Sequence, residues 1–148
     1  MAVIVGISDK HTVMADLDNM SFKRVKSLAL LTMKKFRLKG FIILKSSPKH
    51  YHVVFDKPMR YWSSVLKVVA WMGIVGNNRN LWKWMCMQAI KGYCTLRVSP
   101  KPVNPEGFKP SPRVVYRYGS QENMVKEYLA SRKYVLRMVK RLGVCSYE

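Results

Sequence analysis

One apolar run of the chain, residues 13–18, reads VMADLD and carries two carboxylates two positions apart. A later run, residues 50–55, reads HYHVVF and carries two histidines at the same spacing. Alternate side chains of a strand share one face of a sheet. The spacing therefore predicts that Asp16 and Asp18 point to one side. Two carboxylates and a nearby histidine on a sheet face are suited to hold a divalent cation for phosphate chemistry.

The net charge limits the partners that this chain can have. The sequence contains 27 Lys and Arg against 8 Asp and Glu, which gives a formal charge of +19. Self-repulsion of that size destabilises a compact state unless a polyanion is nearby, so we expect a nucleic-acid partner, either DNA, in single-stranded form, or RNA. No apolar run reaches about 18 residues, so we expect no membrane partner. The first residues lack the features of a signal peptide, and the three cysteines show no C-x-x-C spacing, which favours a cytoplasmic protein with reduced thiols.

The hydrophobic periodicity predicts one α+β domain over residues 1–148. Strands are expected at residues 12–17, 41–44, 51–55, 93–98 and 113–118. Helices are expected from a cap at Asn19 or Ser21 to about Leu38, with Gly40 as the stop, and at residues 61–72, 81–90 and 122–142. A proline-rich loop at residues 99–112 separates a split βαβ core at residues 12–98 from a final strand and helix at residues 113–148.

That order of elements is typical of ferredoxin-like and RNA-recognition-motif domains, in which helices pack on one face of an antiparallel sheet. Here a C-terminal helix would be added to that layout. The first and third strands of the core lie side by side at the centre of such a sheet. Asp16, Asp18 and His52 are therefore expected to meet on its open face.

These residues resemble the archaeo-eukaryotic primases and the related primase-polymerases of plasmids and viruses. In that family a strand ends in hydrophobic-Asp-hydrophobic-Asp, and a later hairpin carries Ser-Gly-x-x-Gly-x-His. Residues 46–52 read SSPKHYH, which keeps the serine and the histidine but neither glycine. Residues 96–101, LRVSPK, are similar to a late basic stretch of the family. The likeness covers roughly residues 12–101.

The resemblance implies a replication protein of a mobile element that joins nucleotides with Mg²⁺ or Mn²⁺. Asp16 and Asp18 would bind the metal and, with His52, form the catalytic site. The nucleoside triphosphate would be held by Ser46, His52, Arg97, Ser99 and Lys101. The family's third metal-binding aspartate has no counterpart between Asp56 and Glu106. Asp56 itself, four residues past His52, is the candidate substitute.

Rolling-circle initiators and relaxases of the His-hydrophobic-His type offer a second resemblance. Their two metal-binding histidines match His50 and His52, and an acidic residue on the neighbouring strand completes the site. Their nucleophile is a helical tyrosine followed by lysine about one turn later. Tyr128, with Arg132 or Lys133 after it, would take that role and form a covalent link to DNA phosphate.

A third hypothesis is a non-catalytic module that binds DNA or RNA through its basic surface. Two predicted helices concentrate the cations that would contact phosphates. These cations are Lys23, Arg24, Lys34, Lys35 and Arg37 on the first helix, and Arg132, Lys133, Arg137, Lys140 and Arg141 on the last. Binding through them should weaken steeply with salt.

Overall fold

The computed structural model describes residues 4–102 and 107–142, and its α+β architecture confirms the predicted fold class. The strands of this part of the chain are β1 (Gly6–Asp9), β2 (Thr12–Asp18), β3 (Gly40–Ser47), β4 (His50–Pro58), β5 (Cys94–Arg97), β6 (Lys101–Pro102), β7 (Phe108–Lys109) and β8 (Arg113–Gly119). Its helices are α1 (Phe22–Phe36), α2 (Trp62–Val75), α3 (Arg79–Lys91) and α4 (Met124–Arg141). Every predicted element is present, with ends shifted by a few residues.

The main sheet is antiparallel, with the strand order β2-β4-β3-β8. β2 and β4 are neighbours, as a ferredoxin-like arrangement requires, and β8 lies at the predicted edge. β5 lies beside β2, where Cys94 Sγ is 3.9 Å from Met14 O, but its backbone ladder is formed with β1. Sequence reasoning missed β1 because four residues that include Gly6 carry too little alternation to identify a strand.

The end of α1 corrects one expectation. Ser21 caps the helix as predicted, because its Oγ accepts a hydrogen bond from Arg24 N at 3.3 Å. The helix ends at Phe36, close to the expected end at Leu38, and its C-cap is Arg37, which adopts a left-handed conformation with φ of 53°, and not Gly40. Gly40 serves a different purpose, since a Cβ built there would lie 2.0 Å from Ser120 O. Only glycine permits this close approach of two backbone segments.

The helices use both faces of the sheet. α1 packs on the face that carries Tyr51, where the rings of Phe22 and Tyr51 are 6.0 Å apart. α1 contacts α2, and α2 contacts α3. α4 lies on the opposite face, where Met124 and Tyr128 line a small cavity together with Met14. The C-terminal helix therefore covers part of the face on which the carboxylates of β2 were predicted to lie.

A single buried carboxylate anchors α4 to the sheet. Asp56 of β4 is fully buried, and its Oδ1 accepts hydrogen bonds from the backbone N–H groups of Asn123 at 3.0 Å and Val125 at 2.9 Å. Its Oδ2 accepts from Ser120 Oγ at 2.7 Å and Glu122 N at 3.1 Å. A carboxylate in this position satisfies the free N–H groups at a helix start and interacts favourably with the helix dipole.

The predicted proline-rich loop contains regular structure. Lys101 pairs with Lys109, and Pro102 pairs with Phe108, so β6 and β7 form a short antiparallel ladder. Its residues were predicted as loop because two-residue strands show no periodicity and proline is rare within strands. The pairing brings two lysines of this segment next to each other.

We predict that Asp56→Asn destabilises the fold by about 2–4 kcal/mol, because the new amide turns two donors toward N–H groups that need acceptors. The measurement is the free energy of unfolding from denaturant titration followed by circular dichroism. Glu122→Gln, an exposed carboxylate beside the same helix start, is the matched control and should change the stability by less than about 0.5 kcal/mol. Equal stability of the two variants would contradict the anchoring role.

Candidate functional site

Two carboxylate–imidazole pairs lie side by side on the sheet face opposite α1. The register of β2 and β4 pairs Asp16 with His52 and Asp18 with His50. Asp18 Oδ1 is 2.7 Å from His50 Nδ1, which is a hydrogen-bond distance, whereas Asp16 Oδ1 is 3.6 Å from His52 Nε2. The structure thus brings together the four side chains whose alternation in the sequence predicted a shared face.

Asp16 holds its proton unusually strongly for a carboxylic acid. Burial, and secondly the neighbouring charge of Asp18, raise the pKa of Asp16 to about 7. Lys101, Arg97 and Lys109 oppose this rise without cancelling it. Near neutral pH the carboxyl therefore exists in both protonation states. Any cation that binds there would displace the proton, because a positive charge favours the carboxylate.

His52 is neutral in the folded chain. Burial, and secondly the charge of Arg97, lower the pKa of His52 to about 4, although Asp18 acts in the opposite direction. The residue is 5% exposed, and its Nδ1 atom has no hydrogen-bond partner within residues 4–102 and 107–142. A neutral imidazole in this position keeps one N–H to donate and one nitrogen to accept.

Three cations are near enough to Asp16 to oppose the rise in its pKa, and we call these residues the basic rim: Arg97, Lys101 and Lys109. Arg97 Nη1 donates hydrogen bonds to Ser99 O and to Pro110 O, the latter at 3.3 Å, which ties β5 to the chain after β7. Lys101 and Lys109 are paired in the β6–β7 ladder. Arg97 and Lys101 were predicted as site residues, but Lys109 was missed. The repeated Lys-Pro dipeptides at residues 101–102 and 109–110 were the one available signal.

The two serines predicted to bind nucleotide are committed to the fold. Ser99 is fully buried, and its Oγ accepts a hydrogen bond from Val5 N at 2.7 Å and donates to Pro100 O at 3.1 Å. We therefore leave Ser99 out of the candidate site. Ser46 is 6% exposed, and its Oγ lies 3.4 Å from His50 O within the β3–β4 hairpin.

The carboxylates do not form a complete metal site by themselves. In the described part of the chain, no group of three or more His, Cys, Asp or Glu side chains is arranged to hold a metal ion. Asp56 does not supply the third carboxylate, because its oxygens accept the hydrogen bonds that anchor α4. Mg²⁺ is commonly held by one or two carboxylates together with waters and substrate phosphates. Asp16 and Asp18 supply two such carboxylates, whose oxygens are the ligands that Mg²⁺ prefers.

Tyr128, the candidate nucleophile of the nicking hypothesis, is a core residue. It is 4% exposed, and burial raises the pKa of its phenol to about 12. A nucleophilic tyrosine has to reach a DNA phosphate and lose its proton, and this position opposes both requirements. The arrangement of His50 and His52 on one face agrees with the nicking hypothesis, but that hypothesis lacks an accessible nucleophile at Tyr128.

Asn78 supports the site from outside and was not predicted to do so. Its Nδ2 donates to Asp18 O at 3.0 Å, and its Oδ1 accepts from Leu81 N at 3.1 Å. The side chain thus caps α3 and holds the end of β2 at the same time. The sequence signal was an asparagine before a helical run, which indicates a cap but not its second partner.

The helix cations predicted to bind nucleic acid divide between the two faces of the sheet. Three of these cations are exposed at the end of α1, on the opposite side of the sheet from Asp16: Lys34, Lys35 and Arg37. Lys23 and Arg24 are exposed at the start of α1, and Arg24 lines a polar cavity that Asp18 also lines. The cations of α4 lie on the same side of the sheet as Asp16.

Comparison with known proteins identifies no relative: no family model, curated protein or solved structure matches the chain. Among residues 4–102 and 107–142, no helix is both long enough and apolar enough to cross a membrane.

We predict that Asp16→Asn stabilises the protein at pH 8 and changes little at pH 4. The folded wild-type chain retains a proton that the unfolded chain releases, so wild-type stability falls as the pH rises from about 4 to about 7. Asparagine avoids this loss. The gain at pH 8 should be about 2 kcal/mol, reduced from the full value because the side chain is 28% exposed.

Denaturant unfolding of both proteins at the two pH values measures this difference. Asp9→Asn removes a carboxylate outside the two pairs and serves as the control. If the Asp16→Asn variant is less stable than the wild type at pH 8, folding does not raise the pKa of Asp16.

We predict that the His52 imidazole remains neutral down to about pH 5 and gains a proton only near pH 4. Because the unfolded histidine protonates near pH 6.5, His52 should also make the fold less stable as the pH falls from 6.5 to 4. Imidazole ¹H–¹⁵N spectra across this range report the titration, and His52→Gln assigns the signal. A midpoint near 6.5 for that signal would contradict the buried, neutral state.

Proposed function

We propose that this chain is a nucleic-acid-binding replication protein of a mobile element that performs primase-polymerase-like, metal-dependent nucleotidyl transfer. The observation that carries the proposal is the pair Asp16 and Asp18 on one sheet face, each next to a histidine of β4, with the basic rim near Asp16. Carboxylates that face cations form an arrangement suited to a polyphosphate with a bound cation. The resemblance of residues 12–101 to primases supplies the replication context.

Each side chain has a distinct role in this proposal. Asp16 and Asp18 hold Mg²⁺ or Mn²⁺, which when bound neutralises charge that develops on the phosphates. Arg97, Lys101 and Lys109 bind the triphosphate oxygens through charge-assisted hydrogen bonds. His52 is neutral and buried beside Asp16, with its Nε2 3.6 Å from Asp16 Oδ1, so it does not repel a cation held by that carboxylate. His50 orients the Asp18 carboxylate through their 2.7 Å hydrogen bond.

The reaction is an in-line displacement at phosphorus. The oxygen of a strand 3′ hydroxyl forms a bond to the α-phosphorus of a nucleoside triphosphate. The bond from that phosphorus to the bridging oxygen breaks, pyrophosphate leaves, and the hydroxyl proton passes to solvent. The chain's contribution is to position the reactants and to stabilise the charge of the transition state.

One alternative is favoured by a specific observation. The described residues hold no three-ligand metal group, and this is the pattern expected of a module that binds nucleic acid without catalysis. In that case the basic surface retains its function, and the acidic residues contribute only local structure. The two hypotheses differ in whether the carboxylates take up a cation.

We predict that the protein takes up Mn²⁺ or Mg²⁺ in the presence of an oligonucleotide and nucleoside triphosphate, and that it incorporates labelled nucleotide on a template. Calorimetry measures the uptake, and gel analysis of extended primers or new strands measures incorporation. Asp16→Asn and Asp18→Asn should each reduce incorporation at least 100-fold, because removal of a charged ligand removes the phosphate-bound cation. Glu127→Gln, which removes an exposed carboxylate on α4, is the control and should retain activity.

The pH dependence of Mn²⁺ binding gives a second test of this proposal. Because Asp16 must lose its proton to bind a cation, the apparent affinity for Mn²⁺ should rise with pH up to about 7 and then level off. No metal uptake and no incorporation at pH 8 would exclude the nucleotidyl-transfer proposal and leave the non-catalytic module.

A further inference from the structure

A basic groove lies between α4 and the edge strand β8. It has a volume of about 420 Å³, and we define it by the residues that line it: Arg117, Leu129, Arg132, Lys133, Leu136, Arg137 and Lys140. Five of these residues are cations, and none of them is acidic. The remaining two are leucines, so an apolar floor lies between charged walls.

Two of the arginines donate hydrogen bonds to neighbouring residues of the chain. Arg117 Nη1 donates to Gln121 Oε1 at 2.8 Å, and Arg132 Nη2 donates to Pro112 O at 2.8 Å. Arg132 Nε is buried and has no acceptor within the described residues. The half-buried Arg132 guanidinium, which donates to a backbone carbonyl, loses little side-chain entropy when an anion binds, whereas the Arg117 hydrogen bond is exposed. The other three cations are exposed on α4.

The groove opens on the sheet face that carries the acidic residues. Arg117 is paired with Ile42, and Ile42 is paired with Val54 on β4. Directly paired residues share a face, and Val54 shares its face with His52, two residues before it. A strand that lies in the groove is therefore on the same side of the sheet as Asp16.

We propose that the basic groove is the binding track for a single-stranded nucleic acid, with phosphates on the cations and bases against Leu129 and Leu136. This inference rests on the proposed function and adds where the strand is bound. A duplex keeps its bases stacked inside and offers no apolar surface to the floor, whereas a single strand offers both charge and exposed bases. The cations at the end of α1, on the other face, do not contribute to the track.

The test compares two double variants that each remove two exposed cations. Lys133→Ala with Arg137→Ala changes the groove, and Lys34→Ala with Lys35→Ala changes the end of α1. Fluorescence anisotropy with a labelled oligothymidylate, in EDTA and across a salt series, measures affinity and its salt dependence. The groove variant should bind roughly tenfold more weakly at low salt, with a slope of log K against log salt reduced by about 1.4, since each single-strand phosphate contact contributes about 0.7. The α1 variant should match the wild type.

Leu136→Gln tests the apolar floor. It should weaken single-strand binding while the salt slope stays unchanged, and it should leave binding to a hairpin duplex unaffected. An equal loss of affinity for the oligothymidylate in the two double variants would overturn the proposal, because binding would then follow net charge alone. Equal weakening of single strand and duplex in the groove variant would also overturn it. EDTA removes divalent cations, so these outcomes are independent of metal uptake and incorporation.

Discussion

The antiparallel register between β2 and β4 is the constraint on which the candidate site depends. It sets Asp16 opposite His52 and Asp18 opposite His50. Because side chains alternate along a strand, a shift of β2 by one residue would turn both carboxylates toward α1 and the apolar core. Burial of Leu17 and Tyr51 on that other face opposes such a shift. Core packing on one side of the sheet thus fixes the positions of the acidic residues and histidines on the other side.

The site is held at a cost to the stability of the fold. Asp16 keeps a raised pKa although three cations oppose the rise, because burial and Asp18 outweigh them. His52 is buried with Nδ1 unpaired within the described residues. The Asp16 carboxylate and the His52 imidazole would each be better solvated in water than in the folded chain. A ligand that supplies the missing charge or hydrogen bond offsets that cost. A chain with 8 acidic residues in 148 concentrates two of them here.

Local patterns were sufficient to predict much of this structure. The alternation in residues 13–18 and 50–55 predicted strands and a shared face, and helical spacing predicted all four helices. Contacts between distant segments could not be read in this way. Asp56 binds groups 64 to 69 positions away, so its role as an anchor could not be predicted, and it was considered only as a substitute metal ligand. For the same reason the sequence alone did not decide whether Tyr128 is a nucleophile or a packing residue, since the face that α4 buries depends on where the helix docks.

The anchoring of α4 by Asp56 separates two properties of the molecule. Asp56, which lies four residues after His52 on β4, holds the first turn of α4. The exposed cations of α4 lie farther along the same helix. Substitutions on that outer surface leave the β2–β4 register untouched. The charge of the outer surface of α4 can therefore change, by evolution or by design, without any change in the arrangement of Asp16, Asp18, His50 and His52.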